Sequence, residues 1–135
     1  MSTQENVQVV KDFFAAIGQG DERGLMASTA EDIEWIIPGE NWPLAGTHRG
    51  HAGLEDLLQK FSELEISSPE PLEYIAQGDR VLAIGFATGK VKATNRPFDD
   101  HFVFAFTVRC RKVTNIREYV DTQALARASK ARLAT

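Results

Sequence analysis

The sequence predicts an α+β domain in which a curved, mainly antiparallel sheet is folded around three N-terminal helices. The first half of the chain carries helical spacings of apolar residues, whereas the chain after residue 70 alternates apolar and polar residues between turn signals. A length of 135 residues is usual for one domain, so we expect a single domain over 1–135 with an ordered core over about 3–128. A sheet curved around helices leaves a cone-shaped interior, which is a natural pocket for a small molecule.

Three helices are predicted in the first half of the chain. The first covers residues 3–18, where apolar residues recur every three or four positions before a pair of glycines. Asp21 is placed to cap a second helix that runs to about Ser28, because its carboxylate can accept hydrogen bonds from free N–H groups of the first turn. A third helix is predicted over about 51–63, with four apolar residues on one face: Leu54, Leu57, Leu58 and Phe61.

A strand is predicted between the second and third helices, and a loop follows it. Residues 33–37 alternate, with Ile33, Trp35 and Ile37 on one strongly apolar face, and Pro38-Gly39 ends the strand. Residues 39–50 are predicted to form a long Gly- and Pro-containing loop, a kind of segment that often acts as a lid. Its Trp42 is interpreted either as a lid over a planar ligand or as an anchor against the third helix.

The second half of the chain is predicted to be antiparallel sheet. Strands are expected at 72–76, 81–89, 91–98 with a turn near 94–96, 99–109 and 113–120. The longest of them carries alternating apolar residues on one face: Phe102, Phe104, Phe106 and Val108. Asp121 or Thr122 is placed to cap a short C-terminal helix.

Composition and charge argue against several classes of function. The net charge is −4 and no basic face is evident, so we expect no nucleic-acid partner. No apolar run approaches the ~18 residues of a membrane span, and no signal peptide is visible at the N-terminus, so a cytoplasmic protein is expected. The single cysteine and the spacing of the three histidines indicate no metal site, and we expect no cofactor.

Three segments share the order and spacing of motifs found in one superfamily. They are VVKDFFAAIGQGDERGLMASTAEDIEWIIPG, LAGTHRGHAGLEDLLQKF and HFVFAFTVRCRKVTNIREYVDTQAL. Together they resemble the nuclear transport factor 2-like superfamily, in its SnoaL-like and ketosteroid isomerase-like branch. The resemblance implies a cystatin-like, cone-shaped α+β barrel and often a homodimer packed through the outer sheet face. The superfamily includes many members without catalysis, so the fold alone does not decide the function.

Ketosteroid isomerases use three polar residues, and the resemblance transfers only one of them. Their tyrosine on the first helix corresponds to Phe13, and their aspartate base on the first strand corresponds to Ile37. Neither side chain can donate or accept a proton. Their protonated aspartate corresponds to Asp100 in the run PFDDHF. Steroid isomerisation by that mechanism is therefore not expected.

Asp100 and Glu118 are the first two catalytic candidates. If Phe102 and its alternating partners face inward, Asp100 does too, and burial would hold its proton more tightly. The alternatives place Asp100 at a hydrated rim or beside an arginine. Glu118 shares a face with two apolar residues of the last strand, which favours an inward orientation. A register shift of one would turn it outward and bury Arg117 instead.

Asp121 and His48 are the other two catalytic candidates. Some SnoaL-like cyclases use an aspartate near the end of the last strand as an acid or base, which is the position of Asp121. The simpler interpretation is a helix cap. His48 lies in the predicted loop and is placed to reach over the pocket mouth, although a surface position is the alternative.

The predicted pocket has an aromatic and aliphatic lining. The candidate ligand-binding residues are Phe13, Ile33, Trp35, Ile37, Trp42, Phe61, Phe86, Phe102, Phe104, Ile116 and Val120. Such a lining fits a compact, largely apolar organic molecule as the partner. Two functions follow: a cofactor-independent acid–base enzyme of isomerase, cyclase, dehydratase or hydrolase type, or a ligand-binding or dimerisation module without chemistry.

Overall fold

The structure is a computed structural model that describes residues 2–67 and 73–130. Its elements in chain order are α1 (Thr3–Gln19), α2 (Glu22–Ala27), β1 (Thr29–Ile37), β2 (Gly46–Arg49), α3 (Gly50–Phe61), β3 (Leu64–Ser67), β4 (Glu73–Gln77), β5 (Arg80–Val91), β6 (Arg96–Arg109), β7 (Lys112–Tyr119) and α4 (Thr122–Ser129). The predicted α+β fold is confirmed. A curled mixed sheet packs against α1, α2 and α3, and the short α4 follows the last strand.

The sheet is mixed because the first strand pairs with the last in parallel. Its order is β2-β1-β7-β6-β5-β3, with β4 also paired to β5, and every pair except β1–β7 is antiparallel. The register sets Ala83 of β5, Phe104 of β6 and Glu118 of β7 side by side. Directly opposed residues share a sheet face, so these three side chains point toward the helices.

The core lies between the inner sheet face and the helices. Val10 and Phe13 of α1 are fully buried, and α3 adds Leu54 and Leu57. Asp21 caps α2 as predicted, since its Oδ1 accepts a 2.9 Å hydrogen bond from the backbone N–H of Gly24. The core therefore fixes the helices on one side of the curved sheet.

Several predicted elements differ from the structure, and β1 begins at Thr29, four residues before the predicted start at 33. Residues 46–49, predicted as loop, form β2 along the edge of β1, and β3 was not predicted because four residues are too short to reveal an alternation. The separate strand at 91–98 does not exist. β5 continues to Val91 and β6 begins at Arg96, with the turn at Asn95, which adopts a positive φ of 56°. The first residue of the predicted strand 72–76 and the tail after residue 130 lie outside the described residues.

No helix within residues 2–67 and 73–130 combines the length and the apolar character needed to cross a membrane.

Candidate functional site

The inner face of the sheet and the helices enclose a cavity of about 500 Å³. Eight of the residues predicted for the site line it: Trp35, Trp42, Phe61, Asp100, Phe102, Phe104, Glu118 and Val120. Further apolar lining residues come from the helices and the strand ends: Phe14, Ile17, Leu44, Leu64, Ile66, Ala87, Phe98 and Leu125. Asp100 and Glu118 are thus the two acidic side chains in a predominantly apolar lining.

Glu118 points into this cavity from β7. Its residue is 5% exposed, whereas its neighbours Arg117 and Tyr119 face outward, so the inward register holds. The Trp35 indole Nε1–H donates a 2.6 Å hydrogen bond to Oε2 of Glu118. Burial raises the pKa of Glu118 to about 8. The Trp35 hydrogen bond opposes this rise, and the nearby Asp100 adds to it.

Asp100 lies on the inner face of β6, opposite Ala87 of β5, and is 7% exposed. The backbone N–H of Asp121 donates a 2.8 Å hydrogen bond to its Oδ1. Burial raises the pKa of Asp100, the hydrogen bond from Asp121 opposes that rise, and the charges of Asp121 and His101 act in opposite directions. Asp100 belongs to none of the ion pairs formed by the described residues, so the arginine-paired alternative does not hold, and its 7% exposure argues against a hydrated rim.

Asp121 and His48 do not present side chains to the cavity. The Asp121 Oδ1 accepts a 3.0 Å hydrogen bond from the N–H of Ala124, so the side chain is the N-cap of α4. It reaches the site only through its backbone N–H. His48 is buried on β2, and its Nε2 lies 2.9 Å from the carbonyl oxygen of Leu44. A carbonyl can only accept, so that ring nitrogen donates, and His48 holds a backbone turn instead of covering the pocket mouth.

Five predicted lining residues lie elsewhere. Four belong to the packed core rather than to the cavity wall: Phe13, Ile33, Ile37 and Ile116. Phe86 is on the outer sheet face, with its ring 4.6 Å from that of His101, because it alternates with the inward Ala87. Phe86 therefore falls on the other face of the sheet, whereas Ile33, Ile37 and Ile116 share the inward face with lining residues but are covered by core packing.

Phe14, Ile17 and Gly18 are the lining residues of α1 that sequence reasoning missed. Phe13 is turned into the core, where its ring lies 5.4 Å from those of Trp35 and Phe106. Phe14 lines the cavity together with Ile17 and Gly18. Their spacing of three and four residues puts them on one helix face, and that spacing was the available signal.

Within the described part of the chain, no group of three or more His, Cys, Asp or Glu side chains is arranged to hold a metal ion. Cys110 is exposed at the tip of the β6–β7 hairpin.

A curled mixed sheet around three helices, with an acid pair inside an apolar cavity, defines a protein of the nuclear transport factor 2-like class. The family model described as the SnoaL-like domain matches residues 10–116, and the chain belongs to this family. A search of curated proteins returned no match.

Solved structures agree with this assignment. An NTF2-like protein from Burkholderia xenovorans LB400 is 72% identical, with a TM-score of 0.92, and the match covers 96% of this chain and 99% of that one. TerC, co-crystallised with polyporic acid, is 26% identical, with a TM-score of 0.76 and coverage of 93% and 98%. A candidate polyketide cyclase from Xanthomonas campestris pv. campestris is 18% identical, with a TM-score of 0.79 and coverage of 95% and 98%. This last likeness concerns the fold alone.

Proposed function

We propose that this protein binds a compact, largely apolar organic molecule in the cavity and carries out cofactor-independent acid–base chemistry on it. The observation that carries the proposal is the pair Asp100 and Glu118, both nearly buried and both lining an aromatic cavity of about 500 Å³. A cavity of this size and lining suits a small organic ligand.

The two carboxyl groups are suited to opposite roles. Glu118, with a pKa of about 8, holds its proton near neutral pH and acts as the acid. Asp100 is assigned as the base: burial raises its pKa, but the N–H of Asp121 stabilises its charged form and the protonated Glu118 adds no negative charge beside it. Carboxyl groups in one cavity whose environments separate their protonation make an acid–base pair. Isomerisation, aldol-type cyclisation, dehydration and hydrolysis can each use such a pair.

TerC supports the small-molecule part of the proposal. It shares 26% of its sequence with this chain over 93% of the chain, and it was co-crystallised with polyporic acid. Polyporic acid is therefore the first probe for binding here, measured by a thermal-shift titration and by isothermal calorimetry.

Proton exchange tests the chemistry without knowledge of the natural substrate. Wild-type protein is incubated in D₂O with three compact enolisable ketones, 2-tetralone, 1-indanone and cyclohexanone, and deuterium uptake is followed by NMR. We expect Asp100→Asn and Glu118→Gln each to reduce the protein-dependent rate at least 100-fold. Asp99→Asn is the matched control, because Asp99 is exposed and alternates to the opposite sheet face. Equal rates for wild type and the double variant on all three ketones contradict the acid–base proposal.

Ligand binding without chemistry is the second candidate, and one observation favours it. Phe13 and Ile37, which stand where ketosteroid isomerases have a tyrosine and a base, are both core residues. Under this alternative, polyporic acid raises the melting temperature, is recovered unaltered by mass spectrometry, and none of the three ketones gains deuterium faster than in buffer.

Homodimerisation through the outer sheet face is also proposed. The outer sides of β4 and β7 expose Ile75 and Tyr119, at 50% and 55%. Leu82, Ile84 and Val103 lie between them on the same face of β5 and β6, partly covered. Exposed apolar surface of this kind on a sheet is typical of an interface between copies of a chain.

A further inference from the structure

We propose that Trp35 is a positioning residue that fixes the proton of Glu118 on the oxygen presented to the cavity. The inference rests on the proposed role of Glu118 as the acid, and it concerns which of the two carboxyl oxygens can deliver a proton. Trp35 itself acts only through Glu118.

The geometry of the hydrogen bond gives the first step. Indole carries a single N–H and has no acceptor atom, so Trp35 can only donate. It lies 2.6 Å from Oε2 of Glu118, and both residues are at most 5% exposed. In a protonated carboxyl group the carbonyl oxygen is a stronger acceptor than the hydroxyl oxygen, so the indole N–H favours the form in which Oε2 is the carbonyl oxygen. Oε2 is then the accepting oxygen in both protonation states, and the acid proton is on Oε1.

Trp35 is held rigidly enough to impose this choice. The rings of Phe13 and Phe61 pack at 5.4 and 5.9 Å from its ring, and Trp35 is 1% exposed. Parallel pairing of β1 with β7 sets Trp35 opposite Ile116, two residues before Glu118. The indole therefore cannot turn away from the carboxyl group without disrupting the core.

Asp100 has a parallel arrangement on the neighbouring strand. Its Oδ1 accepts from the backbone N–H of Asp121, so one oxygen of each carboxyl group is occupied by a fixed donor. The remaining oxygens, Oδ2 of Asp100 and Oε1 of Glu118, are left for a ligand. A donor and an acceptor can then act on the same molecule.

The titratable surroundings of Glu118 are simple among the described residues. Asp100 on β6 is the other acidic group lining the cavity. The elements packed around it present apolar residues there: Phe14 from α1, Phe61 from α3, Leu64 from β3, Ala87 from β5 and Leu125 from α4. A change in the titration of Glu118 therefore reports on Trp35 or Asp100.

Carboxyl ¹³C NMR on the whole protein tests the inference without any ligand. We expect Trp35→Phe to raise the titration midpoint of Glu118 by about one pH unit, because a donor that stabilises the carboxylate is lost. Trp42→Phe is the matched control. Trp42 lines the same cavity, but its indole donates to the carbonyl oxygen of Pro38 at 3.0 Å, so the midpoint should stay at the wild-type value. An unchanged or lower midpoint in Trp35→Phe overturns the proposal.

A second measurement covers the case in which Trp35→Phe does not fold. In wild-type protein the Trp35 indole ¹H–¹⁵N resonance should titrate with the same midpoint as Glu118, whereas that of Trp42 should not. In Glu118→Gln the Trp35 resonance should be independent of pH between 6 and 9, because the amide oxygen takes the accepting position. A Trp35 resonance that does not follow Glu118 in wild type overturns the proposal. The Glu118 midpoint and the Trp35 resonance are both measured without the ketones. A failure of this inference can therefore be distinguished from a failure of the proposed acid–base chemistry.

Discussion

Asp121 joins the start of α4 to the carboxyl pair, because its backbone N–H donates a 2.8 Å hydrogen bond to Oδ1 of Asp100. The same residue caps α4 through its side chain, which accepts from the N–H of Ala124. One residue thus orders a helix end and stabilises the charge of the proposed base. Loss of the cap should therefore also disturb the hydrogen bond that the Asp121 N–H donates to Asp100 in the cavity.

Asp121→Ala should lower the free energy of unfolding by about 1 kcal/mol, the usual effect of losing a helix cap. It should also slow ketone exchange several-fold, since the backbone donor to Asp100 is less well held. Ser2→Ala is the matched control: Ser2 caps α1 by accepting from the N–H of Glu5, far from Asp100 in the sequence and outside the cavity lining. Urea denaturation and the exchange assay measure the two effects. Equal exchange rates in the two variants would disprove the coupling.

Stability should fall as the pH rises, and Glu118 is the cause. Its pKa is raised from 4.5 to about 8 on folding, so between these values the folded state binds more protons than the unfolded state. The contribution of Glu118 is fully present below about pH 4.5 and is lost as the pH passes 8. Glu118→Gln should flatten the decline in unfolding free energy between about pH 5 and 8. Glu55→Gln, at an exposed position on α3, should leave the decline as in wild type. A steeper decline in Glu118→Gln would refute the assignment.

Phe13 and Phe14 should separate stability from binding. Phe13 is fully buried among three aromatic rings, so Phe13→Ala should cost about 3–5 kcal/mol of unfolding free energy. Phe14 is partly exposed and lines the cavity, so Phe14→Ala should cost less and should weaken polyporic acid binding. Chemical denaturation and calorimetry give the two quantities. A larger stability loss in Phe14→Ala than in Phe13→Ala would contradict the assignment of Phe13 to the core and Phe14 to the cavity wall.

The outer sheet face should govern the oligomeric state. Ile84→Lys and Val103→Lys place charges at directly paired positions on this face, and each should convert the proposed dimer to a monomer. Gln59→Lys, exposed on α3, should leave the dimer intact. Sedimentation equilibrium over a range of concentrations provides the readout. A monomeric wild type, or dimeric lysine variants, would contradict an interface on this face.

Alternation and helical spacing predicted most of the fold and the inward acids. Period-two patterns placed Asp100 with the phenylalanines of β6 and placed Glu118 inward on β7. They could not separate a core wall from a cavity wall on the same face, so Ile33 and Ile116 were assigned to the pocket although both are packed. That distinction depends on where the helices stop covering the sheet, which is a tertiary property.

Contacts between distant segments were beyond sequence reasoning. The Trp35–Glu118 hydrogen bond depends on the parallel pairing of β1 with β7, and nothing local in either strand indicates it. His48 was misassigned for a related reason, because the four-residue strand that holds it is visible only when paired with β1.

The β1–β7 pairing also sets the order in which the molecule can assemble its site. Trp35 and Glu118 are 83 positions apart, so their contact closes a loop that spans most of the chain. Contacts of such separation form late, because the entropy of a long loop must be lost before they form. On a ribosome, the N-terminal helices and β1 have emerged well before β7 exists. Until the last strand is made, the nascent chain therefore holds the Trp35 indole without Glu118 as its hydrogen-bond partner.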